Sequence, residues 1–434
     1  MVEIIKPKYV VDFKCIGAEC EDNCCRTNYK LIIDKKFYKH MLYKSKMNIK
    51  EAEVFKRLHK QGSGAWGTSS AYAEMLTNEE GHCFFVGKDN LCQVYQYDGP
   101  EKMPDMCKEY PRLTFNRGSR FKEVSLTLGC PEAVRRLLFY ADALDPITEN
   151  QPSNIKLNKK PYERPPWFAA VRLLMRDILL IEDASIEENL YTLGLTLADL
   201  QALKAQSPTL MLDRIEYHSN VISSGSVRYA YQKTPPFRGA TALIFLSMFD
   251  YLKACLVPVS KLTGRFFELS TLLDQNIIAF AKDKELTSAK RQDLIEKILQ
   301  NPMALQRYQD YIATRPVAWI NFFLESMIRH DFPKSGWLNV WYFQTYTFIY
   351  TRTALMVIAL ERELNDHDFV WIIQSLFTLL HDIKTEERLL LMCLEVDKRI
   401  EATICKALSV ESGGDWSTGI LFALKMHQAS TAQT

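Results

Sequence analysis

The chain lacks any long apolar run. Its strongest candidates, around 240–249 and 369–380, are soon interrupted by Asp250, Lys253 and Asp382, so no membrane-spanning helix is expected. It also lacks an excess of either charge: Lys+Arg 54 against Asp+Glu 52 leaves a net charge of +2, without the electrostatic footprint of a nucleic-acid binder. Residues 1–7, Met-Val-Glu-Ile-Ile-Lys-Pro, show no basic-then-apolar leader, so a reducing, cytoplasmic setting is expected and disulfides are disfavoured. Gly-x-Ser-x-Gly, Walker and His-Glu-x-x-His patterns are missing, which leaves hydrolase and nucleotide-triphosphatase chemistry without local support. There is no low-complexity tract and no repeat at solenoid or propeller periods. Cysteine itself is scarce beyond residue 130, where only Cys255, Cys393 and Cys405 occur.

The other eight cysteines, Cys15, Cys20, Cys24, Cys25, Cys83, Cys92, Cys107 and Cys130, crowd the first 130 residues. The segment from Cys15 to Cys25 carries four of them on short spacers with one adjacent pair, so several thiolates can converge on one centre. A metal or iron–sulfur site is the direct reading, with zinc and iron–sulfur not separable by spacing alone. Disulfides and free structural thiols are the competing readings. Cys130 precedes Pro131-Glu132, a helix start whose dipole favours the thiolate a metal needs; its bland alternative is a buried structural cysteine. His82, beside Cys83, is a further candidate ligand or simply a surface histidine.

With 434 residues and 47% hydrophobic content, two or three domains and substantial cores are within reach. The expected fold is α+β, mainly α: a small cysteine-rich, metal-binding N-terminal domain over 1–145, a linker over 146–161, and a large all-helical domain over 162–434. In the first part, strands are expected at 29–33 and 124–128 and helices at 35–43, 51–60 and 131–143. A hairpin over 83–95 would bring Cys83 and Cys92 together, and a helical turn over 105–110 would carry Cys107. The join combines Pro146, Asn150, Pro152, Asn154, Asn158 and Pro161 too densely for a regular element. In the second part, helical periodicity runs over 167–181, 186–203, 241–256, 266–283, 289–299, 304–330 with a break or kink at Pro316, 340–364, 369–381 and 386–408. In the last of these Leu389, Cys393, Val396, Ile400, Ile404 and Leu408 form one apolar stripe, which makes Cys393 a core residue. Cys255 and Cys405 are expected in the core as well.

Gly62-Ser-Gly64-Ala-Trp-Gly67 matches a dinucleotide-binding string, with Asp89 at a suitable distance. Residues 55–61 before it read as a charged helix rather than an apolar strand, so a glycine loop is the better reading. The lysines Lys35, Lys36, Lys39, Lys44, Lys46 and Lys50 read as a solvated face or a seat for an acidic partner. The aromatics Trp319, Phe322, Phe323, Trp337, Trp341, Tyr342, Phe343, Tyr346, Phe348 and Tyr350 read as core, with a cation-binding wall as the alternative.

Several runs together resemble the flagellin lysine N-methylase family. They are Cys15-x4-Cys20-Glu-Asp-x-Cys24-Cys25, then Gly81-His-Cys83-Phe-Phe-Val with Leu91-Cys92, then Cys107-x-Glu-Tyr110-Pro111-Arg112, then Ser125-Leu-x-Leu-Gly-Cys130-Pro131-Glu132-Ala133. The likeness extends through 167–176 and 321–333. One departure is the tryptophan that family members often carry shortly after the Cys-Cys pair, where this chain has Arg26-Thr27-Asn28-Tyr29 and Tyr29 takes the aromatic place. The resemblance implies an S-adenosylmethionine-dependent methyltransferase acting on lysine side chains of flagellin, with a [4Fe-4S] cluster on the N-terminal cysteines. Cys20, Cys24 and Cys25 lead as ligands, and Cys15, Cys83, Cys92, Cys107 and Cys130 complete one cluster or a second site. A lysine attacks a methyl sulfonium only as the neutral amine, so a proton acceptor is needed, for which His381, Glu325 and Tyr346 are the candidates. Two other classes remain open at this level: a non-enzymatic zinc-binding adaptor gripping a protein partner, and an iron–sulfur electron carrier or redox sensor.

Overall fold

A computed structural model describes residues 2–26, 31–60, 68–79, 82–117, 121–151, 164–204, 207–233, 239–256, 264–282, 287–334, 336–380, 383–408, 420, 421 and 424. The chain opens with strand β1 (Val2–Pro7), whose Val2 and Ile4 point inward, and one helical turn, α1 (Lys8–Val11). A cysteine-bearing loop follows. Within it Gly17 adopts φ +60°, and a Cβ there would press on the Leu91 side chain at 3.3 Å, so the turn between Cys15 and Cys20 suits glycine.

A small module comes next: β2 (Leu31–Ile33), α2 (Lys35–Ser45), α3 (Ile49–Phe55), β3 (Leu58–Lys60), β4 (Ala73–Met75), α4 (Gln93–Asp98) and α5 (Asp105–Glu109). Asp34 begins α2 by accepting from Phe37 N at 2.8 Å with one carboxylate oxygen, while the other accepts from Asp105 N at 2.9 Å. One acid therefore caps a helix and ties α5 to it. The three strands form an antiparallel sheet in the order β2-β4-β3 over a separate core of Ile33, Phe37, Met41, Leu58, Ala73, Met75, Cys83, Phe85 and Val94.

Strands β5 (Arg112–Asn116) and β6 (Phe121–Leu126) lead to α6 (Pro131–Phe139) and β7 (Pro146–Gln151). The resulting sheet has the order β5-β6-β1-β7, with β1 parallel to β6 and antiparallel to β7. Beyond it every element among the described residues is a helix: α7 (Phe168–Leu179), α8 (Ile186–Leu203), α9 (Pro208–Ser223), α10 (Ser226–Lys233), α11 (Ala240–Leu256), α12 (Gly264–Ala281), α13 (Ser288–Leu299), α14 (Pro302–Ala313), α15 (Ala318–Arg329), α16 (Trp337–Ala359), α17 (Asp366–Leu379) and α18 (Ile383–Leu408). Side-chain caps start many of them: Ser185 for α8, Thr287 for α13, Asn301 for α14, and an Asn365–Asp368 capping box for α17. Every residue of α16 except Asn339 is buried, as its apolar run on all faces requires, and α8, α11, α12, α13, α14, α15, α17 and α18 pack around it. The ten aromatics singled out above all lie in this core, stacking on one another.

The mainly helical body with strands confined to the N-terminal part agrees with the sequence, but several details do not. The expected linker begins with a strand: residues Pro146 to Gln151 pair with β1 along its whole length, because the partner strand supplies the hydrogen bonds that local composition disfavoured. The cores also divide elsewhere than at 146–161. One continuous core includes Val2, Tyr9, Leu126, Leu128 and Leu137 together with the helices, and only the small module keeps a core of its own. The expected hairpin over 83–95 is a single Val86–Cys92 bridge, and Cys92 caps α4. The helix expected over 51–60 stops at Phe55, and Leu58 to Lys60 pair with β4 instead. Gly62, Gly64 and Gly67 lie outside the described residues; an antiparallel strand pair, not a strand and a helix, flanks them. At Pro316 the expected interruption is a full break between two helices.

Candidate functional site

The eight N-terminal thiols form two adjoining groups. In the first, the Cys24 and Cys83 thiols both donate to the Cys25 sulfur; this holds Cys25 well below the ordinary thiol range and raises the two donors. The pairing is built by the backbone, since Cys83 N donates to Cys25 O at 2.8 Å and Asn23 Oδ1 accepts from Cys25 N at 2.9 Å. Cys107 on α5 is close enough to interact with Cys24, Cys25 and Cys83, and burial first, then the Cys25 charge, pushes its thiol up to about 12. Cys92 stands at the edge of this group, raised mainly by burial.

The second group is Cys15, Cys20 and Cys130. Burial pushes Cys20 up to about 11 and Cys130 up to about 12, and each thiol feels the charge of its neighbours. At Cys130 the helix start acts as expected, the N–H groups of Ala133 and Glu132 pulling the thiol down, but burial outweighs them. Cys20 interacts with Cys15 and Cys130, and Cys15 in turn with Cys24, so the two groups touch through Cys15. Cys393 is buried on α18 as the stripe required, Cys255 is only half-buried, and the Cys405 side chain lies outside the described residues.

Among the described residues no three Cys, His, Asp or Glu side chains stand in a ready-made metal geometry. The donor chemistry nevertheless fits a thiophilic centre. Cys24, Cys83 and Cys107 each interact with Cys25; their thiolates would repel one another if ionised together, and a soft cation that replaces the protons removes that repulsion.

The cysteine loop is sewn to the helices by Gln374 on α17. Its amide nitrogen donates to Asp22 Oδ2 at 2.5 Å, to Thr378 Oγ1 at 3.0 Å and to Gly129 O at 3.3 Å, so one side chain touches the loop between Cys20 and Cys24 and the residue before Cys130. Asp22 is half-buried, and burial raises its carboxyl.

The three proton-acceptor candidates are not brought together in an open site. His381 lies outside the described residues. Glu325, 1% exposed, accepts from Ser125 Oγ at 2.5 Å and from Arg329 Nη2 at 2.9 Å; Ser125 in turn meets Tyr9 Oη at 2.9 Å. The Glu325 carboxylate is thus a staple between α15 and β6 with its oxygens engaged. Tyr346 is buried in the middle of α16 and donates to Cys393 O at 2.7 Å, and burial holds its hydroxyl well above the ordinary phenol range. Both are engaged in packing contacts, and this geometry lends no support to their assignment as bases. Sequence reasoning missed Asp22 and Gln374. The signal for Gln374 is an amide within the apolar run 369–377, on a position the helix buries completely.

The family profile of the FliB lysine N-methylase C-terminal domain matches residues 172–395, just over half of the chain. The chain belongs to the flagellin lysine N-methylase family. No curated protein and no solved structure matches. The segment shared with the lysine N-methylase family runs from within α7 to within α18, so it holds Glu325, Tyr346 and Gln374 and none of the eight clustered cysteines. The family name points to a lysine methyltransferase, and among the described residues no helix is long and apolar enough to cross a membrane.

Proposed function

We propose that the protein transfers methyl groups from S-adenosylmethionine to lysine side chains of flagellin in the cytoplasm, and that its N-terminal thiols hold a [4Fe-4S] cluster. Membership of the lysine N-methylase family carries this reading. The thiol group supports the second half of it: Cys24, Cys25, Cys83 and Cys107 supply four sulfurs, the number one cluster takes. When bound, a cluster supplies a positively charged centre that stabilises thiolates and can contact a ligand through iron.

The chemistry asks for three things of the chain. The target amine must shed its proton, the sulfonium must face it in line, and water must be kept away. Methyl transfer forms an N–C bond, breaks the S–C bond, releases S-adenosylhomocysteine and passes a proton to a base. With Glu325 and Tyr346 engaged in packing, His381 is the remaining proton acceptor from the sequence reading, seven residues after Gln374 in the chain.

The test is methyl transfer from labelled S-adenosylmethionine to purified flagellin, read by mass spectrometry of its lysines, alongside iron, zinc and acid-labile sulfide content of protein purified without oxygen. Iron with matching sulfide and methylated flagellin support the proposal. Stoichiometric zinc without sulfide and no transfer support the zinc-binding adaptor, which the same four thiols would also serve. Cys25→Ser is expected to lower metal content and activity together, whereas Cys393→Ser leaves both within about twofold because that thiol only packs.

A further inference from the structure

We propose that the seam between the cysteine loop and the helices is a binding site for an α-amino-acid group, recognised by Arg265, Gln374 and Asp22. Under the function proposed above, on which this identification of the occupant rests, that group is the methionyl end of the methyl donor; a free amino acid offers the same chemistry.

Arg265 lies in the first turn of α12, and its Nε and Nη2 are buried without a hydrogen-bond partner. These two atoms share one edge of the guanidinium, the edge that grips a carboxylate through two parallel bonds. The group is held against Trp371: its Cζ lies 5.3 Å from the centre of the Trp371 ring, and Trp371 Nε1 donates to Arg265 O at 3.0 Å. A buried guanidinium edge with nothing to donate to is unfavourable, so a carboxylate is the group it lacks.

Gln374 stands one turn along α17 from Trp371, on the same face. Its nitrogen is used by Asp22, Thr378 and Gly129, and its Oε1 is buried without a partner. The amide cannot be reversed, because the Gly129 carbonyl accepts only from the nitrogen side. Oε1 is therefore an acceptor waiting for a donor, on a residue that is 0% exposed. Trp371 and Gln374, one turn apart on α17, hold Arg265 and Asp22 respectively, and among the described residues those two form no ion pair with each other. A fixed cationic fork thus stands near an open acceptor and a carboxylate. A lone anion would leave the acceptor empty, and a lone cation would leave the fork empty. A zwitterion fills both, its carboxylate on Arg265 and its ammonium on Gln374 Oε1 and Asp22.

The site adjoins the thiols. Cys20 Sγ donates to Asp22 O at 3.3 Å, and Gly129 precedes Cys130. A ligand anchored here by its amino-acid end extends from the junction of the two parts that a methyl-transfer centre would have to combine.

The test is equilibrium dialysis of the full chain, purified without oxygen, against S-adenosylhomocysteine, 5′-methylthioadenosine and methionine. Arg265→Met removes the fork, and Arg265→Lys keeps the charge without the paired donors. We expect both variants to lose about 30-fold or more in S-adenosylhomocysteine affinity, as for loss of a charge-assisted pair, while 5′-methylthioadenosine, which has no amino-acid end, binds them and the wild type alike. Equal binding of S-adenosylhomocysteine to all three proteins overturns the site and leaves the donor reading intact. Methionine bound by the wild type and lost in Arg265→Lys, with no binding of S-adenosylhomocysteine, upholds the amino-acid site and removes the donor reading. Parallel loss of all ligands in both variants, or no amino-acid-bearing ligand bound by the wild type, overturns the proposal.

Discussion

Glu325 shows how far a residue's chemistry depends on what its neighbours leave free. As a carboxylate in the helical half it looked like a proton acceptor; in place it holds Arg329 and Ser125, and Arg329 also donates to Leu126 O at 2.9 Å. Glu325→Gln removes the charge partner of the largely buried Arg329 guanidinium, so a loss of about 1–3 kcal/mol is expected in urea unfolding, partly restored by adding Arg329→Met. Lost activity with unchanged stability would instead return Glu325 to the role of base. Asp397 is the residue whose titration the fold alters most usefully. It is buried, accepts from Ile420 N at 2.7 Å and from Tyr342 Oη at 3.4 Å, and burial raises its carboxyl to about 7, with Glu401 adding a smaller push in the same direction. A raised acid binds its proton more tightly folded than unfolded. Its contribution is therefore greatest near pH 4, declines as pH rises to about 7, and is flat above. Melting curves should show the wild type losing stability relative to Asp397→Asn across that window, and a constant difference would contradict the assignment.

At the scale of elements, α8 and α16 meet closely at one glycine. Gly194 faces the Trp341 ring so closely that an added Cβ would overlap its Cζ2 and Cε2 atoms, and Trp341 Nε1 donates to Leu190 O at 2.8 Å. Alanine is the better helix former by about 1 kcal/mol, but overpacking a fixed indole costs about 1–3 kcal/mol. Gly194→Ala is therefore expected to destabilise, read as a lower urea midpoint with an unchanged slope; a raised midpoint would mean the helices can part. The helices from α11 onward were legible because each carries an apolar stripe or a run long enough to identify. Helices α9 and α10 were not, since α9 buries only Met211, Ile215 and His218 and α10 only Tyr231. Strands β1 and β7 escaped for a different reason: their hydrogen bonds join residues such as Ile4 and Glu149, a pairing no local window contains. The same distance hid the amino-acid seam. The thiols announced themselves by spacing, but Asp22 and Gln374 are 352 residues apart.

Taken as a whole, the molecule is a helical body built on a sheet rather than two domains in series. Asn321 Nδ2 donates to Leu137 O and to Tyr140 O, both at 2.9 Å, and α6 packs against α15 and α17, so the floor of the helical core is made by the first 140 residues. A fragment of residues 164–434 would expose that floor. It is expected to be molten, binding a hydrophobic dye and lacking near-ultraviolet dichroism, although it contains the entire span matched to the FliB family. A cooperative, native-like melt of that fragment would show the helices to be self-sufficient.

The strand order β5-β6-β1-β7 also sets a timetable. Strand β1 is an inner strand, yet both of its neighbours are more than 110 residues downstream, so during synthesis it waits unpaired while the cysteine loop and the small module emerge. The small module, with its own core, can form in that interval. Only when β6 and β7 arrive does the sheet close, enclosing every thiol from Cys15 to Cys107 in a loop of chain whose two ends are fastened side by side. Every thiol from Cys15 to Cys107 is thus synthesised before the sheet that encloses its loop can close.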